Sequence, residues 1–285
     1  MVFTNNWIRY EPYSAQVSKG KHMKKLLQTI QVFLQFFYRD LYVHTQQLPA
    51  HLINYSIIYP TLYIFAFAFL QTEIYFGGQT QVGATVFSGT CLVPLLVMVF
   101  HITFDLLFDL EKNRHIDFQI TVLDPRLILI EQILFASFFT FLIMIPFFPL
   151  ARIFASSYID LSNISWSSLF IILYLGSLCA AAYHKLAAVL LTVQKISMFW
   201  TRVNHILLVL GGFWIPLHIV RQFSPTLGFL LRFNPVVYLT EGLRQSVVGG
   251  SQFLPLWQCA TALFILSIIF TLLCFYFFKR RVDHI

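Results

Sequence analysis

Charge is scarce in this sequence. Only 11% of its 285 residues are Asp, Glu, Lys or Arg, against roughly 25% in a soluble domain. Such a chain cannot cover a water-facing surface, which excludes the ordinary globular, fibrous and disordered classes. Cysteine is also scarce. Cys91, Cys179, Cys259 and Cys274 all fall inside apolar runs, with no metal-ligand spacing and no polar loop where a disulfide would act as a staple. They read as small buried hydrophobes. The nucleotide and hydrolase signatures are missing too. No G-x4-G-K-[ST] occurs, so the chain does not hydrolyse ATP through a P-loop. No H-E-x-x-H, G-x-S-x-G or Cys/His cluster occurs either.

What is present is grease. The chain is 58% hydrophobic and 18% aromatic, with 32 Phe and a mean hydropathy of +0.73. An integral membrane protein is the class that fits. No secretory signal is expected, because the first long apolar run starts only near Leu52, behind a basic and polar stretch. The formal charge of +7 reads as basic cytoplasmic segments, with no nucleic-acid partner implied.

Six stretches approach the roughly 20 apolar residues that a spanning helix needs: 52–70, 83–107, 127–150, 167–193, 197–217 and 254–278. The fifth is the weakest and reaches full length only if Trp200 and Arg202 sit at the interface. Continuous runs without period-two alternation exclude a barrel. The distribution of Lys and Arg sets the orientation. With the N-terminus inside, fifteen of the 19 lie on that side, in the N-terminal stretch, two loops and the Lys279-Arg280-Arg281 tail. Arg152, Arg221, Arg232 and Arg244 lie on the other. Both termini are therefore expected in the cytoplasm.

Residues 24–48 read as an amphipathic helix on the inner leaflet. Leu26, Leu27, Ile30, Phe33, Leu34, Phe37 and Leu41 form one stripe, with Val32 and Phe36 outside it. The plain alternative is a helix packed on a soluble partner. Residues 1–23 carry no pattern and are expected to be a mobile tail, leaving 49–285 as the six-helix domain. The stretch 218–253 is too apolar for a solvated loop, yet Pro225 and Asn234-Pro235 break it. It is expected to form two short helices, 226–233 and 236–248, that enter and leave the outer leaflet.

Polar residues within the apolar runs are the candidate chemistry. His101, Asp105 and Asp109 recur at i, i+4 and i+8, close to Glu111. That face suits a cation or a proton relay, against the plainer reading of interfacial polar residues. Glu131 opens the third span, where the helix dipole favours a carboxylate; a part in a proton path is the alternative. His184 and Lys185 lie past the middle of the fourth span, to snorkel inward or to line a pathway or subunit contact. Gly176, Ser177 and Ala180–Ala182 on the same helix have the small-residue spacing of close packing. The loop 108–126 holds seven fixed charges interleaved with Ile116, Phe118, Ile120 and Val122, a composition suited to docking a soluble protein or to a simple hairpin.

Several landmarks then fall in a familiar order. They are Arg39-Asp40-Leu41, Tyr59-Pro60, Glu111, Thr121-Val122-Leu123-Asp124-Pro125, Phe213-Trp214-Ile215-Pro216, Ser224-Pro225, Phe233-Asn234-Pro235 and Glu241-Gly242-Leu243-Arg244. This order resembles the permease subunit of type-2 ATP-binding-cassette exporters, over about residues 26–280. One departure is that His115-Ile116-Asp117-Phe118-Gln119 stands where that family often carries Gly-Thr-Leu-Glu.

The resemblance implies an all-α half-transporter in a bacterial inner membrane, paired as a homodimer. A separate ATPase subunit would carry ATP and Mg, with no cofactor or metal on this chain and no catalysis by it. Arg39, Asp40, Glu111, Lys112, Arg114, His115 and Asp117 would couple to that ATPase. Pro216, Pro225, Asn234, Pro235, Glu241 and Arg244 would form the outer gate. The cargo would be amphipathic: a lipid-linked saccharide, a lipid or a drug. The rival readings are an intramembrane enzyme using His101, Asp105 and Asp109, an ion channel or ion-coupled secondary transporter, and a purely structural membrane subunit.

Overall fold

The computed structural model describes residues 13–63, 65–66, 80–113, 115–155 and 159–283. The rest of the expected first span and the Gly77-Gly78 loop lie outside the described residues, as do residues 1–12 of the expected tail. Among the described residues every regular element is helical. In chain order they are α1 (Tyr13–Thr45), α2 (48–63), α3 (Val82–Glu111), α4 (His115–Val122), α5 (Pro125–Ile153) and α6 (Trp166–Leu190), then α7 (193–210), α8 (Leu217–Phe223), α9 (Pro225–Leu230), α10 (Pro235–Val247) and α11 (Leu256–Asp283).

Four of these, α3, α5, α6 and α11, are long and apolar enough to cross a membrane. They match the expected second, third, fourth and sixth spans. The outward surface is apolar as well: Phe264, Ile265, Ile268 and Leu272 of α11 are all exposed. An oily exterior over a packed interior is what a bilayer-embedded chain requires.

α6 is the central post, packed on α3, α5, α10 and α11. Its Gly176, Ser177, Ala180, Ala181 and Ala182 are all buried, and the lack of bulk there brings neighbouring backbones close. A Cβ on Gly176 would collide with Leu239 of α10, and one on Gly242 would sit 3.0 Å from Ile172 of α6. α5 begins sharply because Asp124 Oδ1 accepts the Arg126 N–H at 2.8 Å and Pro125 needs no donor partner. In the turn before α6, Asp160 accepts bonds from the Ser162 N–H and hydroxyl at 3.0 and 2.6 Å, which holds its pKa below the ordinary carboxylate value.

Several expectations need correction. The fifth span does not run 197–217. α7 begins at Val193 and ends at Leu210, because Gly212 takes φ +80° and residues 211–216 are not helical. The stripe on α1 is also split. Val32, Phe33, Phe36, Phe37 and Leu41 pack inward, with Phe37 edge-on to Phe135 of α5, while Leu26, Leu27, Ile30 and Leu34 stay exposed. Three phenylalanines at i, i+3 and i+4 outweigh the aliphatic side in choosing the packed face, because large rings bury the most area. α1 itself begins at Tyr13, upstream of the expected residue 24.

The two short helices expected at 226–233 and 236–248 stand close to those positions. α9 with the 3-10 turn Leu231–Phe233 forms the first, and α10 the second. α8 adds a further short helix that was expected to be loop.

Candidate functional site

Two acid–arginine pairs hold the two ends of α7. At the end of the bundle where α11 finishes, Glu111 Oε2 accepts the Val193 N–H at 2.9 Å, at the first residue of α7. Its other oxygen takes Arg281 Nη2 at 2.8 Å. Arg281 also donates through Nη1 to the carbonyls of Ala188, Val189 and Leu191, at 2.8, 2.9 and 2.9 Å. Those are last-turn carbonyls of α6 and the residue after it. A helix leaves its first N–H groups and last C=O groups without internal partners. Here an acid meets the positive end of α7 and a cation the negative end of α6, each complementing a helix dipole.

The opposite end repeats the logic with other residues. α7 stops at Leu210, and its stranded carbonyls are met one after another by side chains of α10. Asn234 Nδ2 donates to Leu207 O at 2.7 Å and Thr240 Oγ1 to Gly211 O at 2.6 Å. Arg244 donates to Gly212 O, to Phe213 O at 3.3 Å and across to Thr85 O of α3's first turns at 3.1 Å. Glu241 Oε1 pairs with Arg244 Nη1 at 3.3 Å and accepts the Leu217 N–H at 3.0 Å, capping α8. Arg244 and Glu241 are 0% and 1% exposed. Gly89 makes room for this cluster: a Cβ there would lie 2.6 Å from Arg244 Nη2 and closer still to Phe213 O. Of the expected gate residues, Pro216, Asn234, Glu241 and Arg244 thus meet around one break in the chain. Pro225 and Pro235 start α9 and α10.

The polar residues of the apolar runs split into separate groups, His101 and Asp105 at the surface and His184 and Lys185 buried. His101 Nδ1 meets Tyr55 Oη at 2.6 Å, while Asp105 Oδ2 meets His44 Nε2 at 3.2 Å. The face read from His101, Asp105 and Asp109 is therefore shared out among partners on α1 and α2. Among the described residues no group of His, Cys, Asp and Glu is arranged to hold a metal ion. His184 Nδ1 donates to Ala180 O at 2.8 Å, and its Nε2 accepts from Asn204 Nδ2 at 3.0 Å. Both ring nitrogens are thereby assigned to a neutral imidazole that ties α6 to α7.

Lys185 turns inward, 3% exposed, toward a half-open pocket of about 500 Å³ lined by α1, α3, α4, α5 and α6. Asp40, Asp105 and Asp109 share its walls with Arg39 and Gln132. Lys185 stands in the field of Asp105, Asp40 and Glu131. Glu131 is 1% exposed and lies in the second turn of α5, with Oε1 unbonded. Arg39 and Asp40, expected at a docking surface, pair with each other at 2.6 Å at the edge of this chamber.

Of the expected coupling residues, Glu111 spends both oxygens inside the chain. The side chains of Lys112, Arg114 and His115 lie outside the described residues. Asp117 is on α4, next to Phe118, which is 68% exposed. Sequence reasoning passed over Arg281, Thr240, Asn204, His44 and Tyr55 as site residues. Arg281 had a signal, a third consecutive basic residue after the last span, but that signal reads as topology. No protein-family model matches the chain, and no curated protein or solved structure is found to be similar to it.

Proposed function

We propose that this chain is the permease half of an ATP-driven exporter of amphipathic molecules, paired with a second copy and driven by a separate ATPase subunit. The observation that carries this reading is the Glu111 junction. Glu111, the last residue of α3 at the head of the charged loop, reaches through its carboxylate both the start of α7 and, through Arg281, the end of α11. A motor docked on that loop has a direct mechanical line into the bundle. α4 is the natural landing element, with Phe118 and Val122 exposed on it.

In this reading ATP closes the ATPase dimer and displaces α4. The Glu111–Arg281 pair passes the displacement to α7 and α11. α7 is clamped at its far end to α10, so its tilt is transmitted to the broken segment α8–α10, which serves as the outer gate. The cycle is a two-state equilibrium biased by nucleotide on the partner. Both termini lie in the cytoplasm, and the membrane is a bacterial inner membrane. ATP and Mg stay on the ATPase.

The test is purification of the tagged chain from its native membrane in mild detergent, with mass spectrometry and an ATPase assay on the material that co-purifies. A nucleotide-binding subunit at a 2:2 ratio is the expected result. A chain that comes down alone and is active without ATP overturns the reading. A second reading, ion-coupled transport, draws on the Lys185–Asp105 chamber and predicts ion-driven flux through the purified chain without nucleotide.

A further inference from the structure

A cleft runs between α5 and α11 that none of the contacts above occupies. Its lower part is a cavity of about 870 Å³, bordered by Arg126, Lys279 and Arg280 together with Leu129, Leu272 and Phe275. Its upper part, about 190 Å³, shares Leu272 and is lined by Ile130, Leu134, Ile268 and other apolar side chains. The two are therefore successive stretches of one seam, basic at the end where α11 finishes and apolar along the helices.

The charge balance at the lower end is one-sided. Three cations face one carboxylate, Asp124, which already accepts the Arg126 N–H as the cap of α5. Arg126, Lys279 and Arg280 are exposed. Arg280 lies 4.4 Å over the ring of Tyr276, which holds its guanidinium at the mouth of the cleft. An anion seated among these three cations would gain from all of them at once.

The upper seam selects what kind of anion. From Lys279 to Phe264 the α11 wall rises about 22 Å at 1.5 Å per residue, more than the roughly 15 Å of one leaflet's hydrocarbon. Phe264, Ile268 and Leu272 are exposed and continue into the outward face of the helix, so the seam opens sideways into the bilayer.

We propose that this cleft seats an anionic glycerophospholipid of the surrounding membrane. Its phosphate sits among Arg126, Lys279 and Arg280, and one acyl chain runs up the seam between α5 and α11. The lipid would join two helices that both lean on α6 but make few contacts with each other. It would also load the last turns of α11, directly beside Arg281. Ligand recognition of this kind does not depend on the exporter reading.

The experiment is native mass spectrometry of the full chain in detergent, with equal amounts of phosphatidylglycerol and phosphatidylcholine added. The wild-type chain is expected to retain phosphatidylglycerol at least tenfold over phosphatidylcholine, each cation at the membrane surface accounting for about fivefold. The triple variant R126Q/K279Q/R280Q is expected to bring that ratio close to one. Because all three side chains are exposed, its helix content and elution volume should stay unchanged. Ile268→Trp, which fills the upper seam and leaves the cations alone, is expected to lower retention of both lipids. Equal retention of the two lipids by the wild type overturns the proposal, as does unchanged phosphatidylglycerol on the triple variant. Displacement of the lipid by millimolar inorganic phosphate would also overturn it, because the headgroup alone would then account for binding. So would a triple variant that changes oligomeric state and not lipid retention, which would make the cleft a protein–protein contact.

Discussion

Glu111 and Arg281 stand 170 residues apart in the chain and meet at 2.8 Å, closing one end of the bundle between α3 and α11. Their side chains are about four-fifths buried, at 23% and 20% exposure, and each also serves backbone groups at a helix end. Loss of either partner strands those groups. Glu111→Ala and Arg281→Ala are each expected to destabilise the chain by about 1.5–3 kcal/mol, the usual worth of hydrogen bonds to charged groups. The double variant should cost clearly less than the two together, with a coupling of about 1 kcal/mol or more. Thermal unfolding in detergent measures this. Strict additivity would mean that the pair does not act as one unit.

Arg244 is the better buried of the two arginines and should be the more costly to remove. Arg244→Ala leaves Glu241 as an unpaired charge and frees carbonyls of residues 212 and 213 together. The expected loss is about 3–5 kcal/mol, as for one partner of a buried ion pair. Arg244→Lys keeps the charge but lacks the fork that reaches Thr85 and Phe213 at once, so it should recover only part. Full recovery by lysine would show that charge alone matters.

Gly89 tests the same cluster by shape. A single methyl group there must displace the Phe213 carbonyl or the Arg244 guanidinium. Gly89→Ala is expected to destabilise by about 1–3 kcal/mol, in the range of overpacked interiors. In the Arg244→Ala background the same change should cost only somewhat less, because the Nη2 contact is gone while the closer Phe213 carbonyl stays. An undiminished cost in that background would place the clash on the carbonyl.

Phe118 separates docking from folding. At 68% exposure on α4 it contributes little to the packed bundle. Phe118→Asp should leave thermal stability within about 0.5 kcal/mol of the parent. On the exporter reading it should sharply reduce co-purification of the ATPase. Unchanged co-purification would move the docking surface away from α4.

The sequence left the landmarks around the broken segment legible because proline and Asn-Pro punctuate a chain visibly. Pro225, Asn234 and Pro235 mark the starts of α9 and α10 to within a residue or two. The end of α7 was not legible. Val203–Leu217 reads as one apolar run, and nothing in its hydropathy announces that Gly212 turns left-handed. α1 shows a related limit. A helical wheel finds its apolar stripe, but only the neighbours in space decide the packed face: Phe37 meets Phe135 of α5, and Phe33 and Phe36 pack on the cluster around Leu107 and Leu129, while Leu26 and Ile30 stay exposed.

Composition and run length by themselves determined that this is an all-helical, membrane-embedded chain, because too few charges remain to cover a water-facing surface. They also located the polar residues whose presence in apolar runs needed an explanation. Tertiary structure alone decided how those residues are partnered. Hydrogen bonds to orphaned helix ends depend on where one helix stops beside another, and that is a matter of position in space. It made Glu111 and Arg281 a junction, joined His184 to Asn204 as a cross-link, and turned Lys185 toward an acidic chamber away from the lipid.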